Sequence, residues 1–352
     1  MNDHTSLFTF FSLLLLLITG CSTHSLVSQE PVPEESPDYT LFFYIHGDSD
    51  YLFHQSGGEA IHADEHALDK ALNAAKKAET GEVYIFHHRA EKNFLGLIPR
   101  RKSQFYHFQN GQEIQRIKYR RSSDDLFMEA ENRLHALYGS DPDPADKPAY
   151  FLYFGHEIPL EVHRGYNASH SNTVVDTKAF ATGLSAFIGE DHSYDLVALS
   201  SCSNGTPAMA KYLQETARYL LASPQNLHLS HINFTSLELL NESPDIDPGH
   251  LAEKIAAESY DRLTESVQTV VSLAVYDLEV TGGYIEELYS KTREYLNHET
   301  PNLFKENRDC IELPFFDKDQ YSDGVRLFYR PPRFGSRSSS ETHSGWGCKI
   351  VD

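Results

Sequence analysis

YDLVALSSCSNGT, residues 194–206, is the stretch on which the reading of the fold turns. Residues 196–199 are a short apolar run of the kind that a strand buried on both faces produces. Asn204 and Gly205 mark a turn after it. Thr206 and Pro207 then make a helix start, a hydroxyl to cap the first turn and a proline at the first helical position. Beyond them Met209, Tyr212, Leu213, Thr216, Tyr219 and Leu220 recur at helical spacing and predict a helix through that stretch. Cys202 therefore falls where a buried strand ends and a helix is about to begin. Open α/β sheets bind ligands at that carboxyl edge. A thiol there is a candidate nucleophile, because backbone donors at a strand–helix turn stabilise a thiolate or an oxyanion. A small buried hydrophobe closing the strand is the other reading of the same residue.

The chain upstream has the same grammar. Residues 41–45 (LFFYI) read as a strand that runs into His46-Gly47-Asp48. A helix is expected over 63–79, with Ala67, Leu68, Ala71, Leu72 and Ala75 on one face, and a strand over 82–87. Residues 104–119 alternate around Asn110-Gly111, a strong hairpin signal. A helix over 125–138 and a Pro/Asp-rich loop lead to a third strand, 149–154, which ends in Gly155-His156-Glu157. A helix over 177–188 precedes the Cys202 strand. Strands alternating with helices predict an α/β fold with a mostly parallel sheet and right-handed crossovers. His156 and Cys202 then close two strands one crossover apart. That is the arrangement thiol catalysis needs: the imidazole takes the thiol proton, and later returns a proton to the leaving amine.

Composition bounds the alternatives. A chain of 352 residues, 40% hydrophobic, can bury a sizeable core, and a net charge of −21 argues against a nucleic-acid partner. Residues 7–19 (LFTFFSLLLLLIT) are too short for a comfortable membrane span and suit the core of a signal peptide. The following LITGC, residues 17–21, resembles the cleavage box of bacterial lipoproteins, although MNDHTS lacks the expected Lys or Arg. The resemblance implies removal of residues 1–20, lipidation of Cys21 and a lipid anchor in the cell envelope. With Ser22 next, it implies the outer membrane. Residues 21–38, rich in Ser, Pro and Glu, read as a tether.

AYFLYFGHE followed by YDLVALSSCSNGT resembles the His and Cys blocks of the caspase-like cysteine peptidases. The run from ASPQNLHL to VSLAVYDLE is most similar to the clostripain branch, and the likeness extends over about residues 39–296. It implies a caspase/haemoglobinase-like, mostly parallel sheet flanked by helices, with a peptidase domain over 39–330 and a C-terminal tail over 331–352. It implies a Cys/His endopeptidase acting on peptide or protein substrates through His156 and Cys202, with the backbone N–H groups of Glu157 and Cys202 as candidate oxyanion donors. No cofactor is expected; calcium is possible by resemblance, with no site assigned. Two positions depart from the family. Glu157 stands where Gly is usual, and only Gly reaches positive-φ conformations cheaply. Ser200 stands where an aspartate selects Arg or Lys, so as the candidate pocket residue it offers a hydroxyl in place of a charge. These two departures also keep open a catalytically inactive binding or scaffold lipoprotein.

With Cys21 lipidated and Cys202 free for catalysis, two of the four cysteines remain, Cys310 and Cys348, and a disulfide between them is expected in an oxidising compartment. A self-cleavage site, if the family's maturation applies, falls at Arg164-Gly165, where an ordinary surface arginine is the favoured reading. Other constellations have bland readings. His62 and His66 are one helical turn apart without a third ligand, so no metal is assigned and a metal-dependent hydrolase is disfavoured. His46-Gly47 could mimic a hydrolase oxyanion loop, but no G-x-S-x-G elbow exists. Asp317, Asp319 and Asp323 miss EF-hand spacing. Arg100 to Lys102, Arg116, Lys118, Arg120 and Arg121 read as a solvated hairpin. The last residues, with Trp346 and Cys348, are expected to dock back onto the domain.

Overall fold

Nine strands form one sheet: β1 (Tyr39–Gly47), β2 (Gly81–Arg89), β3 (Ser103–Gln109), β4 (Gln112–Tyr119), β5 (Ala149–Phe154), β6 (Tyr194–Ser200), β7 (Ala217–Ala222), β8 (Val271–Asp277) and β9 (Val325–Arg330). Their order is β9-β8-β7-β6-β5-β1-β2-β3-β4. The five central strands, β7 to β2 in that order, run parallel, and the flanking pairs are antiparallel. The computed structural model describes residues 36–48, 52–54, 60–89, 93–94, 98–99, 103–139, 147–189, 191–227, 232–298, 310–334 and 341–349. The leader over 1–20, Cys21, all but the last residues of the tether, and Arg100 to Lys102 lie outside the described residues.

The central strands read as continuous apolar runs because both of their faces are covered. Phe42, Tyr44, Tyr84, Phe86, Phe151, Tyr153, Val197 and Leu199 pack one way. They meet helices α2 (Glu129–Tyr138), α3 (Thr177–Ile188), α4 (Pro207–Leu213) and α6 (Leu278–His298). Leu41, Phe43, Ile45, Val83, Ile85, Leu152, Leu196 and Ala198 face the other way, onto α1 (Ala63–Lys77) and α5 (Pro248–Ser266). The result is three layers with a core on either side of the sheet.

Several local expectations hold. Strand 149–154 and helix 177–188 fall where the sequence puts them. Thr206 caps α4, its hydroxyl accepting from Met209 N at 3.1 Å, with Pro207 at the first position. Asn110 (φ 50°) and Gly111 (φ 76°) make the tight β3–β4 turn, in the left-handed backbone region that glycine adopts freely.

Others are corrected. The helix expected to run through Leu220 stops at Leu213, and 217–222 is β7, parallel to β6. Tyr219 and Leu220 continue the helical spacing of Met209, Tyr212, Leu213 and Thr216, yet the contiguous apolar run they belong to equally suits a strand covered on both faces. The helix expected from Asp125 starts at Glu129, because Asp125 accepts from Ser122 N and Met128 sits at φ 66°. His62 ends a short strand before α1, so it is not on the same helical face as His66. Arg121, expected in solvent, is buried against Glu131, Nε to Oε1 3.7 Å, and donates to the Leu126 carbonyl.

Residues 37–352 belong to one compact unit. The segment read as a tail rejoins it: Cys348 pairs with Glu312 in a two-residue parallel ladder, and Trp346 is fully buried. A disulfide joins Cys310 to Cys348, with Cα atoms 5.9 Å apart, as the cysteine count predicts.

Candidate active site

β5 and β6 are neighbours in parallel register, and their last pair is Phe154 opposite Ser200. The Gly155 N–H still reaches the Ser200 carbonyl at 3.4 Å. His156 and Cys202 each lie two residues beyond that last pair, so the register carries both to one sheet edge. His156 is exposed there and Cys202 is partly covered.

The two strand ends are joined by Asn204. Its Oδ1 accepts from Ile158 N at 3.0 Å and from Ser201 Oγ at 2.5 Å, and its Nδ2 donates to Ile158 O at 3.0 Å. One amide thus fixes the loop after His156 to the turn after Cys202. Within that turn Ser203 holds φ at 50°, an uncommon conformation for a residue with a side chain, and donates its N–H to Gln225 O at 2.8 Å. Gly205 is required by close approach, since a Cβ there would lie 2.7 Å from Pro224 N. Cys202 Sγ donates to Leu227 O at 3.7 Å. On the histidine side, Tyr166 Oη donates to the His156 carbonyl at 2.9 Å.

Electrostatics leave the pair uncharged. Partial burial holds the His156 imidazole below its ordinary value, so it is neutral at pH 7. Burial pushes the Cys202 thiol up, and the nearby Glu157 carboxylate pushes it the same way. The Glu157 carboxyl is itself raised by burial, with a hydrogen bond from Ser203 pulling against that. A neutral thiol and a neutral imidazole thus stand at the same sheet edge. The main-chain N–H groups of Glu157 and Cys202, the expected oxyanion donors, donate to no other described residue.

Ser200 is 4% exposed and its Oγ accepts from Ile232 N at 3.3 Å. It shares a face with Ala198, and its hydroxyl is turned to Ile232. A groove of about 530 Å³ opens beside the turn, lined among others by Glu157, Ile158, Ser203, Asn204, Pro207 and Trp346. His156, Ser200 and Cys202 are not among its lining residues. Asp195, the other acid near the thiol in sequence, accepts from Ala149 N at 3.0 Å, at the opposite, amino edge of the sheet.

The remaining candidates resolve into structure. His46 is buried, bonded through Nε2 to Asn167 Oδ1 at 2.7 Å and stacked on Tyr166 at 4.6 Å. Asp317 caps a short helix and pairs with Lys349. Cys310, His343 and Cys348 bring their donor atoms within 4.8 Å of one another, but the two sulfurs are bonded to each other, so they do not form a ligand set. Arg164 donates to Asn172 O, and Gly165 N donates to Ser171 O, so the segment around the expected self-cleavage site is tied down. Asn204 read only as a turn marker in the sequence, and nothing there distinguished Gln225. Their partners lie far away along the chain or across a turn.

No family model and no curated protein matches the chain. Among solved structures, it is similar to a secreted C11 cysteine protease from Bacteroides thetaiotaomicron, "iotapain". The identity is 14% and the TM-score 0.52, over 84% of this chain and 81% of that one. A structure of a secreted C11 cysteine protease from the same organism, with an irreversible peptide inhibitor, matches at 12% identity and a TM-score of 0.51, over 79% and 74%. An inactive zymogen C11 protease from Parabacteroides distasonis aligns at 12% identity and a TM-score of 0.47, over 77% and 69%. The layered architecture, with a parallel sheet center whose edge carries His156 and Cys202, is the caspase-like fold of the clostripain-like (C11) cysteine proteases.

Proposed function

We propose that the chain is a cysteine endopeptidase working through Cys202 and His156. The observation that carries the reading is the register of β5 and β6, which brings both residues to one carboxyl edge, where their neighbours Glu157 and Ser203 line an open groove. His156 accepts the thiol proton as Sγ attacks the scissile carbonyl carbon. The oxyanion takes hydrogen bonds from the N–H groups of Glu157 and Cys202, and the imidazolium protonates the leaving amine. Water, deprotonated by His156, then hydrolyses the thioester.

The LITGC stretch, residues 17–21, supports an envelope setting with Cys21 lipidated. The second reading, a caspase-fold binding lipoprotein without activity, draws on the Glu157 charge that disfavours the thiolate. Hydrolysis of a mixed peptide library decides between them. Wild-type protein is expected to cleave, Cys202→Ala to lose all activity while keeping its circular dichroism spectrum, and His156→Ala to be slowed about 100-fold or more. Activity that survives Cys202→Ala would refute the assignment, and an inert wild type would favour the binding reading.

A further inference from the structure

Residues 341–349 return to the candidate site by two separate routes. In the first, His343 Nδ1 accepts from the Gly345 N–H at 3.0 Å, which places the ring proton on Nε2. Nε2 lies 3.3 Å from Gln225 Nε2, while Gln225 Oε1 is buried with no hydrogen-bond partner. Turning the Gln225 amide over removes the facing of two donors: Oε1 then accepts the His343 proton. The carbonyl of the same Gln225 accepts the Ser203 N–H at 2.8 Å and the Ser223 hydroxyl at 2.7 Å. Ser203 is the strained residue next to Cys202. In the second route, Tyr276 Oη lies 2.9 Å from Gly345 O and 3.3 Å from Gly205 O, with its ring against Trp346 at 4.4 Å. Gly205 closes the turn that begins at Cys202. The returning segment is itself fastened by the Cys310–Cys348 disulfide and by Cys348 N donating to Ile311 O.

We propose that His343 is a positioning residue for the Cys202 turn, acting through Gln225, with the Cys310–Cys348 disulfide holding it in place. The inference rests on Cys202 being the reactive group of the proposed function. An orienting bond to a buried amide keeps the 223–227 segment in register with Ser203, and so keeps the thiol at its depth in the edge. Reduction by a dithiol, which gives up two electrons and two protons and leaves as its own disulfide, converts the S–S bond to two thiols and frees the strap.

The test uses the full chain with Gln225→Ala, His343→Ala, the double variant and Gln225→Glu, whose carboxylate can still accept the imidazole proton. Three readouts are taken: peptide kcat and KM, the pH midpoint for alkylation of Cys202 by iodoacetamide, and the thermal melt. Each alanine variant is expected to lower kcat about tenfold with KM within about twofold. The alkylation midpoint should fall by about half a pH unit, as a loosened thiol regains solvent. The double variant should be no worse than either single one, because both act through one bond, and Gln225→Glu should recover most of the loss. Melts that shift while kcat and the alkylation midpoint stay at wild-type values would overturn the proposal, as would additive losses in the double variant. If wild-type protein cleaves no peptide, the alkylation midpoint still decides the positioning role, while the peptidase reading alone fails.

Discussion

Glu157 illustrates how much one side chain alters at a sheet edge. The sequence marked it as a departure, a residue with a Cβ where an oxyanion donor is usually Gly. Its φ is not among the positive values, so the position costs no backbone strain. What could not be read is that its carboxylate approaches Cys202, because that depends on how the loop after β5 folds back toward Ser203. The charge disfavours the thiolate, so removing it should favour it. In Glu157→Gln the pH midpoint for Cys202 alkylation is expected to fall, whereas a midpoint unchanged or raised would contradict the electrostatic account. Ser200 shows the reverse case: its neutral hydroxyl is legible in the sequence, but its partner, Ile232 N, is not. Ser200 is buried outside the groove lining and brings no carboxylate to a substrate, so a profile of cleaved peptides should not be confined to Arg and Lys before the scissile bond; exclusive basic cleavage would refute this.

At the scale of elements, what the sequence made legible were the strands with unbroken apolar runs and the helices with explicit caps. Residues 149–154 form the strand their unbroken apolar run predicts, and 177–188 the expected helix, with Asp176 as a cap that only the structure shows. β7 was hidden because its run satisfies both periods and only its pairing with β6 and β8 selects the strand. The joint between His156 and Cys202 was hidden too, since Asn204 reaches Ile158 across 46 residues of sequence. That joint carries a prediction. Asn204→Ala strands the N–H and C=O of Ile158 in a buried site, and should destabilise the protein by about 2 kcal/mol or more in urea denaturation. A loss under about 0.5 kcal/mol would mean that the joint is not structural. Asn204 and Asn167 also sit in glycosylation sequons, and at 2% and 0% exposure neither can accept a glycan in the folded chain.

Over the whole molecule, the layered α/β class followed from the alternation of elements, and the Cys310–Cys348 pair from setting aside Cys21 for lipid and Cys202 for catalysis. The histidine content did not announce its role. His46 and His88 are buried on β1 and β2, and His135 is half-buried on α2; desolvation holds His46 at about 3, His135 at about 4, and His88 well below its ordinary value. The unfolded chain binds protons on these groups below about pH 6.5, where the folded chain does not. Stability is therefore present above that pH and is lost as pH falls toward the folded values, by about 1.4 kcal/mol per unit for each imidazole. The raised carboxyl of Asp48, which burial makes harder to ionise, opposes part of that loss. Urea midpoints measured from pH 7.5 to 5 should decline steadily below about 6.5; a flat profile would contradict the neutral buried state.

The central claim is that Cys202 is a reactive thiol served by His156. It is tested most directly by intact-mass and peptide mapping after incubation with a thiol-directed peptide inhibitor. The account predicts one adduct per chain, on Cys202, formed much more slowly in His156→Ala and absent in Cys202→Ala. A wild-type Cys202 that stays unlabelled, or one that labels at the same rate without His156, would contradict it.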